Sequence, residues 1–254
     1  MTTSYCLAVN STTVLHLPFR YDYQGECDLL LLHAPYFDVM GGTALDTHIR
    51  TKGRYDYSYI ESAVVKIGED TFEVGSFGEY FLNGVQGAQL PATVGGFQLN
   101  HTQVDTKKHV FQIDLGHGED LIVSTFKDMV SVKFDNADKS RFHNSVGLMG
   151  EYGGEGRWFG RDGATVIKDP NAFGQEWQIR PEEEDMLFQV SRSPQYPQEC
   201  IPAAKTSTQR RLGHSLSLDV AEKACAHWKE NKAGCISDVM KTGDVDLAID
   251  AFSF

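Results

Sequence analysis

Nowhere does the sequence hold the roughly 18 consecutive apolar residues that a membrane-crossing helix needs, so a helical span is not expected. Positive charge is also scarce: 23 Lys and Arg stand against 35 Asp and Glu, a formal net charge of -12. That balance repels phosphate backbones, and no Lys/Arg cluster interleaved with aromatics offsets it, which excludes nucleic acid as an expected partner. Cysteine is sparse. The 254 residues hold five, Cys6, Cys27, Cys200, Cys225 and Cys235, with no Cys-x-x-Cys pair of the kind that binds zinc or runs redox exchange. Their wide spacing fits disulfides, and the odd count leaves one unpaired within the chain, for a partner on another molecule or in a missing segment. The residues after Met1, TTSYCLAVNSTTVLHLPF, lack a basic n-region and a sustained apolar h-region, so no secretory signal is visible. The expectation is an intracellular protein or a piece of a longer one.

Catalytic signatures are missing too. There is no Gly-x-Ser-x-Gly elbow and no His-Glu-x-x-His pair. Nine histidines, among them His33, His48, His101, His109, His117, His143 and His214, are scattered singly, the pattern of polar surface or satisfied core residues. Cys225, His227 and Cys235 lack an evident fourth zinc ligand. Glu182, Glu183, Glu184 and Asp185 read as a solvated acidic run.

What is present is β patterning. Asp28 to Leu32 reads as a short buried strand. Val65 and Ile67, then Phe72 and Val74, alternate around Gly68-Glu69-Asp70 as a hairpin with one buried face. Asn83-Gly84 is the dipeptide best suited to the positive φ angles of a tight hairpin turn. Phe111, Ile113 and Leu115 alternate up to Gly116-His117-Gly118, and Leu121 to Phe126 and Met129 to Phe134 are separated only by Lys127-Asp128. With no helical period over this region, a meander of antiparallel strands in a twisted sheet or sandwich is expected. After Trp177, RPEEEDMLFQ and SRSPQYPQECIP have the composition of a connector that wraps a surface. From Leu218 the spacing turns helical, with Val220, Ala224 and Trp228 at steps of four and Ser217 or Asp219 available as N-cap. The expected pattern is a first helix broken at Gly234, a second from Cys235 to Lys241 ending at Thr242-Gly243, and a third from Asp244 to Phe252. Cys225 and Cys235 on adjoining helices would then staple a unit too small to hold itself by its core.

The stretch Val146 to Gly163, VGLMGEYGGEGRWFGRDG, is thick with glycine. It has neither the Lys-Ser/Thr of a Walker loop nor the spacing and βαβ setting of a dinucleotide fingerprint, which argues against a phosphate cradle. Two readings remain. Glu151, Glu155 and Asp162, with carbonyls between them, supply oxygen ligands of the kind a hard cation such as calcium requires, or the loop is a glycine-built corner. Asp135-Asn136-Ala137-Asp138 lacks the glycine and glutamate of an EF-hand and reads as a turn.

FRYDYQGECDLLL resembles the entry strand of a von Willebrand factor type D domain, an aromatic-rich strand leading into Gln-Gly-x-Cys. Further motifs follow in order. Asn83-Gly84-Val85 with Leu90-Pro91 resembles the family's Asn-Gly turn and Leu-Pro step. SVGLMGEYGG is similar to its Gly-Leu-Cys-Gly-Asn-Phe segment, and DGATVIKDPNAFGQEWQI to its closing stretch, in which an Asp-Gly turn precedes a Phe-Gly-x-x-Trp strand. The resemblance covers about Phe19 to Ile179, and the tail ACAHWKENKAGCISDVMKTGDVDLA is similar to helical Cys-containing modules that follow such domains. It implies calcium in the loop after SVGLMGEYGG. This chain departs from the family there: Met149 stands at a bridging Cys, Glu151 at an Asn and Gly153 at an Asp ligand. Without that Cys, the resemblance makes Cys200 the replacement partner of Cys27. The family's Gly-Asp-Pro-His start has no counterpart in STTVLHLP, so Asp-Pro self-cleavage is not expected.

The sequence is therefore expected to be mainly β, an antiparallel sandwich or meander with a small helical C-terminal module. The expected divisions are a lead-in over 1–18, a β domain over 19–180, a connector over 181–207 and a disulfide-stapled helical unit over 208–254. The resemblance implies a non-enzymatic extracellular or cell-surface module for adhesion or assembly, whose partners are other extracellular proteins, further domains of the same polypeptide, or a second copy through Cys6. Two alternatives are a hydrolase using Glu151 and Asp162 as its carboxylate pair and a lipid-binding module with an apolar cavity between its sheets.

Overall fold

The computed structural model describes residues 23–38, 42–54, 57–150, 157–202, 216–226 and 232–246. Two antiparallel sheets dominate. The first runs in chain order through β1 (Asp28–Asp38), β2 (Thr43–Arg54), β3 (Tyr57–Ile67), β4 (Asp70–Gly75), β5 (Tyr80–Leu82) and β6 (Val85–Gln86). The second comprises β7 (Ala92–Val94), β8 (Phe97–Gln103), β9 (His109–Gly116), β10 (Glu119–Phe126) and β11 (Met129–Asp135), again with sequential neighbours paired. This is the expected meander. The β5–β6 turn is at Asn83 and Gly84, both with positive φ (50° and 78°), as a type I′ turn demands.

Cross-strand partners share a face, so the register separates core from surface. Leu29, Ile49, Ala63 and Val74 lie side by side across the first sheet, with Val65 opposite Phe72. Leu99, Ile113, Leu121 and Phe134 do the same in the second. All of these are buried in one core that spans both sheets, where the Phe72 and Phe111 rings meet edge to face at 5.4 Å. The space between the sheets is thus packed with side chains where the lipid-binding alternative needs room.

The remaining edge of β1 is covered by later chain. His33 and Val146 exchange backbone hydrogen bonds, Leu148 and Met149 donate to the carbonyls of Leu30 and Leu31, and Leu30 N–H donates to the Trp177 carbonyl. Phe173 and Gly174, expected in a strand, lie instead in α1 (Pro170–Glu176). Asp169 caps it by accepting the Ala172 N–H at 2.8 Å, and Pro170 suits its first turn. Only Gln178, just beyond, bridges to Leu29 in extended form.

Two helices follow the connector, α2 (Leu218–Ala224), capped by Ser217, and α3 (Lys232–Thr242). Gly234 does not break the first helix as expected. That helix already ends at Cys225, and Gly234 sits inside α3, where the burial of Cys235 and Val239 offsets the roughly 1 kcal/mol that a helical glycine costs. The α3 terminus at Thr242-Gly243 agrees with expectation, Gly243 having φ 69°. Trp228 and residues 247–252 of the expected third helix lie outside the described residues. Disulfides join Cys225 to Cys235 and, across 173 residues, Cys27 to Cys200. The helical pair packs on Phe126 and Met129 at the β10–β11 hairpin, and Lys127 pairs with Asp244. No helix among the described residues is long and apolar enough to cross a membrane.

Candidate functional site

The outer face of the first sheet carries the polar side chains of β2. Asp46 and His48 alternate with the core residues Leu45 and Ile49, so they point away from the core beside Leu30 and His33 of β1. The connector crosses over this face. Leu187 and Phe188 bury against Val64, the Arg50 guanidinium stacks on the Phe188 ring at 4.3 Å, and Gln189 N–H donates to Glu73 at 2.8 Å. Sheet and connector leave a cleft of about 640 Å3 between them, lined by Leu30, His33, Asp46, His48, Arg161, Trp177 and the segment 181–185.

Within the cleft His33 Nδ1 and Asp46 Oδ1 are 2.5 Å apart, and this hydrogen bond raises the His33 pKa above its ordinary value, against a smaller opposing effect of burial. His48 behaves oppositely. Only 3% exposed, it is pushed down to about 4 by desolvation and stays neutral at physiological pH, with its Nδ1 unpartnered. Arg161 joins the opposite wall: Nε donates to the Glu176 carbonyl at 2.8 Å, Nη2 to the Gln178 carbonyl at 2.9 Å, and Nη1 pairs with Glu184. The acidic run read as solvated is therefore partly tied down, because Glu184 pairs with Arg161 and Asp185 with Lys66 at 2.5 Å. The Lys66 ammonium holds the Asp185 carboxyl below its usual range.

Asp162 is separate from this cluster and works on its own turn. Its Oδ1 accepts the N–H groups of Ala164 (2.9 Å) and Thr165 (2.8 Å), and its Oδ2 accepts the Thr165 hydroxyl at 2.6 Å, which together lower its pKa, the hydroxyl most. Most of its acceptor capacity is spent in shaping the loop. Glu151 and Glu155 lie outside the described residues. Among the described residues, no group of three or more His, Cys, Asp and Glu side chains is placed to hold a metal ion. The first glycine of the stretch, Gly147, is needed for close approach. A Cβ there would come within 2.6 Å of the Leu31 carbonyl oxygen, so glycine lets residues 146–149 close on β1.

Sequence reasoning missed the His33–Asp46–His48 cluster because it treated each histidine alone. The signal was the period-two run Asp46, His48, Arg50 interleaved with Leu45, Thr47 and Ile49, which marks a strand with a polar face.

Fold and bridges define the class of this chain, a two-sheet, disulfide-bridged β protein with a small helical part. No family model matches the sequence, and no curated protein matches it significantly.

Proposed function

We propose that this chain is a non-enzymatic extracellular module of the von Willebrand factor type D kind, with a helical Cys-containing unit appended, serving adhesion or assembly within a larger secreted or cell-surface protein. The observation that carries the proposal is the pair of bridges. Cys27 at the mouth of β1 is tied to Cys200 at the end of the connector, and Cys225 to Cys235 in the helical unit. Structural disulfides form and persist in oxidising compartments. Support also comes from the order of the motifs, Gln24-Gly25-x-Cys27, Asn83-Gly84, Gly147-Leu148 and Phe173-Gly174-x-x-Trp177, which follow one another along the domain as in that family.

Calcium remains part of the proposal through Glu151 and Glu155, with Asp162 shaping its own part of the loop. Thermal unfolding in excess EDTA and then in ~10 mM calcium, with magnesium as control, tests it. A site of ~0.1 to 1 mM affinity adds roughly 1.4 to 2.7 kcal/mol by mass action, whereas superimposable curves mean that this loop holds no calcium.

The module itself is tested by thiol counting on native protein from its host, denatured without reductant. Five cysteines less the four in bridges leaves Cys6, so at most one reactive thiol is expected. Four or five reactive thiols would sink the extracellular reading. Beads coated with the oxidised protein are expected to cluster or to bind extracellular matrix, and inert beads would remove the adhesive role.

A further inference from the structure

Outside the lining of the cleft, beside the β4–β5 turn at Gly78, two histidines from neighbouring strands of the second sheet face each other. His101 on β8 lies opposite Phe111 on β9, and His109 sits two residues before Phe111, so both project from the same face as that core residue, toward Tyr80 and Gly78 of the first sheet. His101 Nε2 and His109 Nδ1 are 3.1 Å apart, with ring planes within 4° and centroids 5.3 Å apart. The rings are therefore nearly coplanar and meet edge to edge, nitrogen to nitrogen. Phe111 stacks on His101 at 4.5 Å, and Gly78, where a Cβ would fall 2.4 Å from His109 Cδ2, forms a backbone wall against the second ring. Both side chains are half-buried, which leaves a path from solvent.

We propose that His101 Nε2 and His109 Nδ1 form a two-imidazole chelate for a late first-row transition cation, copper(II) foremost. The separation fits. Bonds of about 2.0 Å place adjacent nitrogens roughly 2.8 Å apart at a square-planar ion and roughly 3.3 Å apart at a tetrahedral one. The observed 3.1 Å falls between these values. Coordination needs a lone pair on both facing nitrogens, so the ring that carries the N–H between them gives up that proton to solvent and takes one up at its other ring nitrogen, and both imidazoles stay neutral. Each ring turns about its soft terminal torsion so that the lone pairs converge, and water completes the coordination. Copper(II) heads the affinity order for imidazole sites among divalent first-row ions.

Copper(II) titration of the oxidised chain at pH 7.4, with millimolar glycine to suppress single-histidine binding, tests this. One equivalent is expected to bind, with a paramagnetic resonance spectrum showing two equatorial imidazole nitrogens. His101→Phe, which keeps the stack on Phe111, and His109→Phe should each cut the affinity by at least about tenfold, the lower end of the loss when even an outer partner of a metal ligand is removed. Unchanged melting curves for the apo variants separate loss of ligand from loss of fold. If a variant melts early, His101→Gln and His109→Gln replace it. Unchanged affinity in either folded variant, or a spectrum with fewer than two nitrogens, overturns the proposal.

Discussion

At the scale of single residues, burial makes titration a stability matter. The unfolded His48 imidazole has an ordinary pKa near 6.5, while the folded one is at about 4. Between those values the unfolded chain takes up a proton that the folded chain refuses, so stability falls as pH drops through the window, by about 3 kcal/mol in all. His33 has the opposite sign. Its raised pKa adds stability below pH 6.5 that is lost as pH rises through the folded value. Urea midpoints of His48→Leu measured from pH 7 to 4 should fall less steeply than those of the parent, and parallel curves would show that His48 titrates normally. Asp28 and Arg50 form a buried two-pronged pair (2.7 and 2.8 Å), with Arg50 also donating to the Val190 carbonyl. Arg50→Met, which takes the two-pronged partner from the buried Asp28 carboxylate and leaves it the Arg192 guanidinium at 3.7 Å, is expected to cost about 3 kcal/mol in denaturant unfolding. The double change with Asp28→Asn should recover part of that loss.

At the scale of elements, the hairpins were legible because their turns state their own chemistry. Gly68-Glu69 and Lys127-Asp128 lie between strands whose alternation is visible in sequence and join them as expected, and Asn83-Gly84 makes the tight turn expected of it. Strand β2 carried a readable alternation that was passed over, and the helical turn at Phe173-Gly174 was not legible. What the alternation of the first does not record is that the connector covers its polar face, and the second was missed because a local Asp-Pro cap overrides a strand expectation drawn from resemblance. The segment 146–149 joins β1 only because Gly147, at φ 120°, allows the approach. Gly147→Ala should destabilise the protein by about 2 kcal/mol, from backbone strain and the clash with Leu31, and speed amide exchange at His33 and Leu148. Unaltered exchange there would remove that role.

At the scale of the molecule, the two bridges act on different units. In the chain-entropy model the 173-residue bridge is worth roughly 5 kcal/mol and the 10-residue bridge roughly 3. Cys225→Ala with Cys235→Ala is expected to loosen α2 and α3 and leave the sheets folded, with strand amides still protected. Cys27→Ala with Cys200→Ala should lower the midpoint of the whole β unit, because that bridge ties the entry strand to the end of the connector. A helical unit that kept its far-ultraviolet signal without its staple would show that packing on Phe126 and Met129 suffices.

The sequence by itself determined the fold class, the antiparallel meander, the hairpin turns and the bridge between Cys225 and Cys235, all set by neighbours within a few residues or by short-range period. Only the tertiary structure decided that His33, Asp46 and His48 share a roofed cleft, that His101 meets His109, and that Asp162 spends its oxygens on its own turn. The physical reason is distance along the chain. Pairing across strands and burial beneath a connector more than 100 residues away depend on register and packing, which no local pattern records.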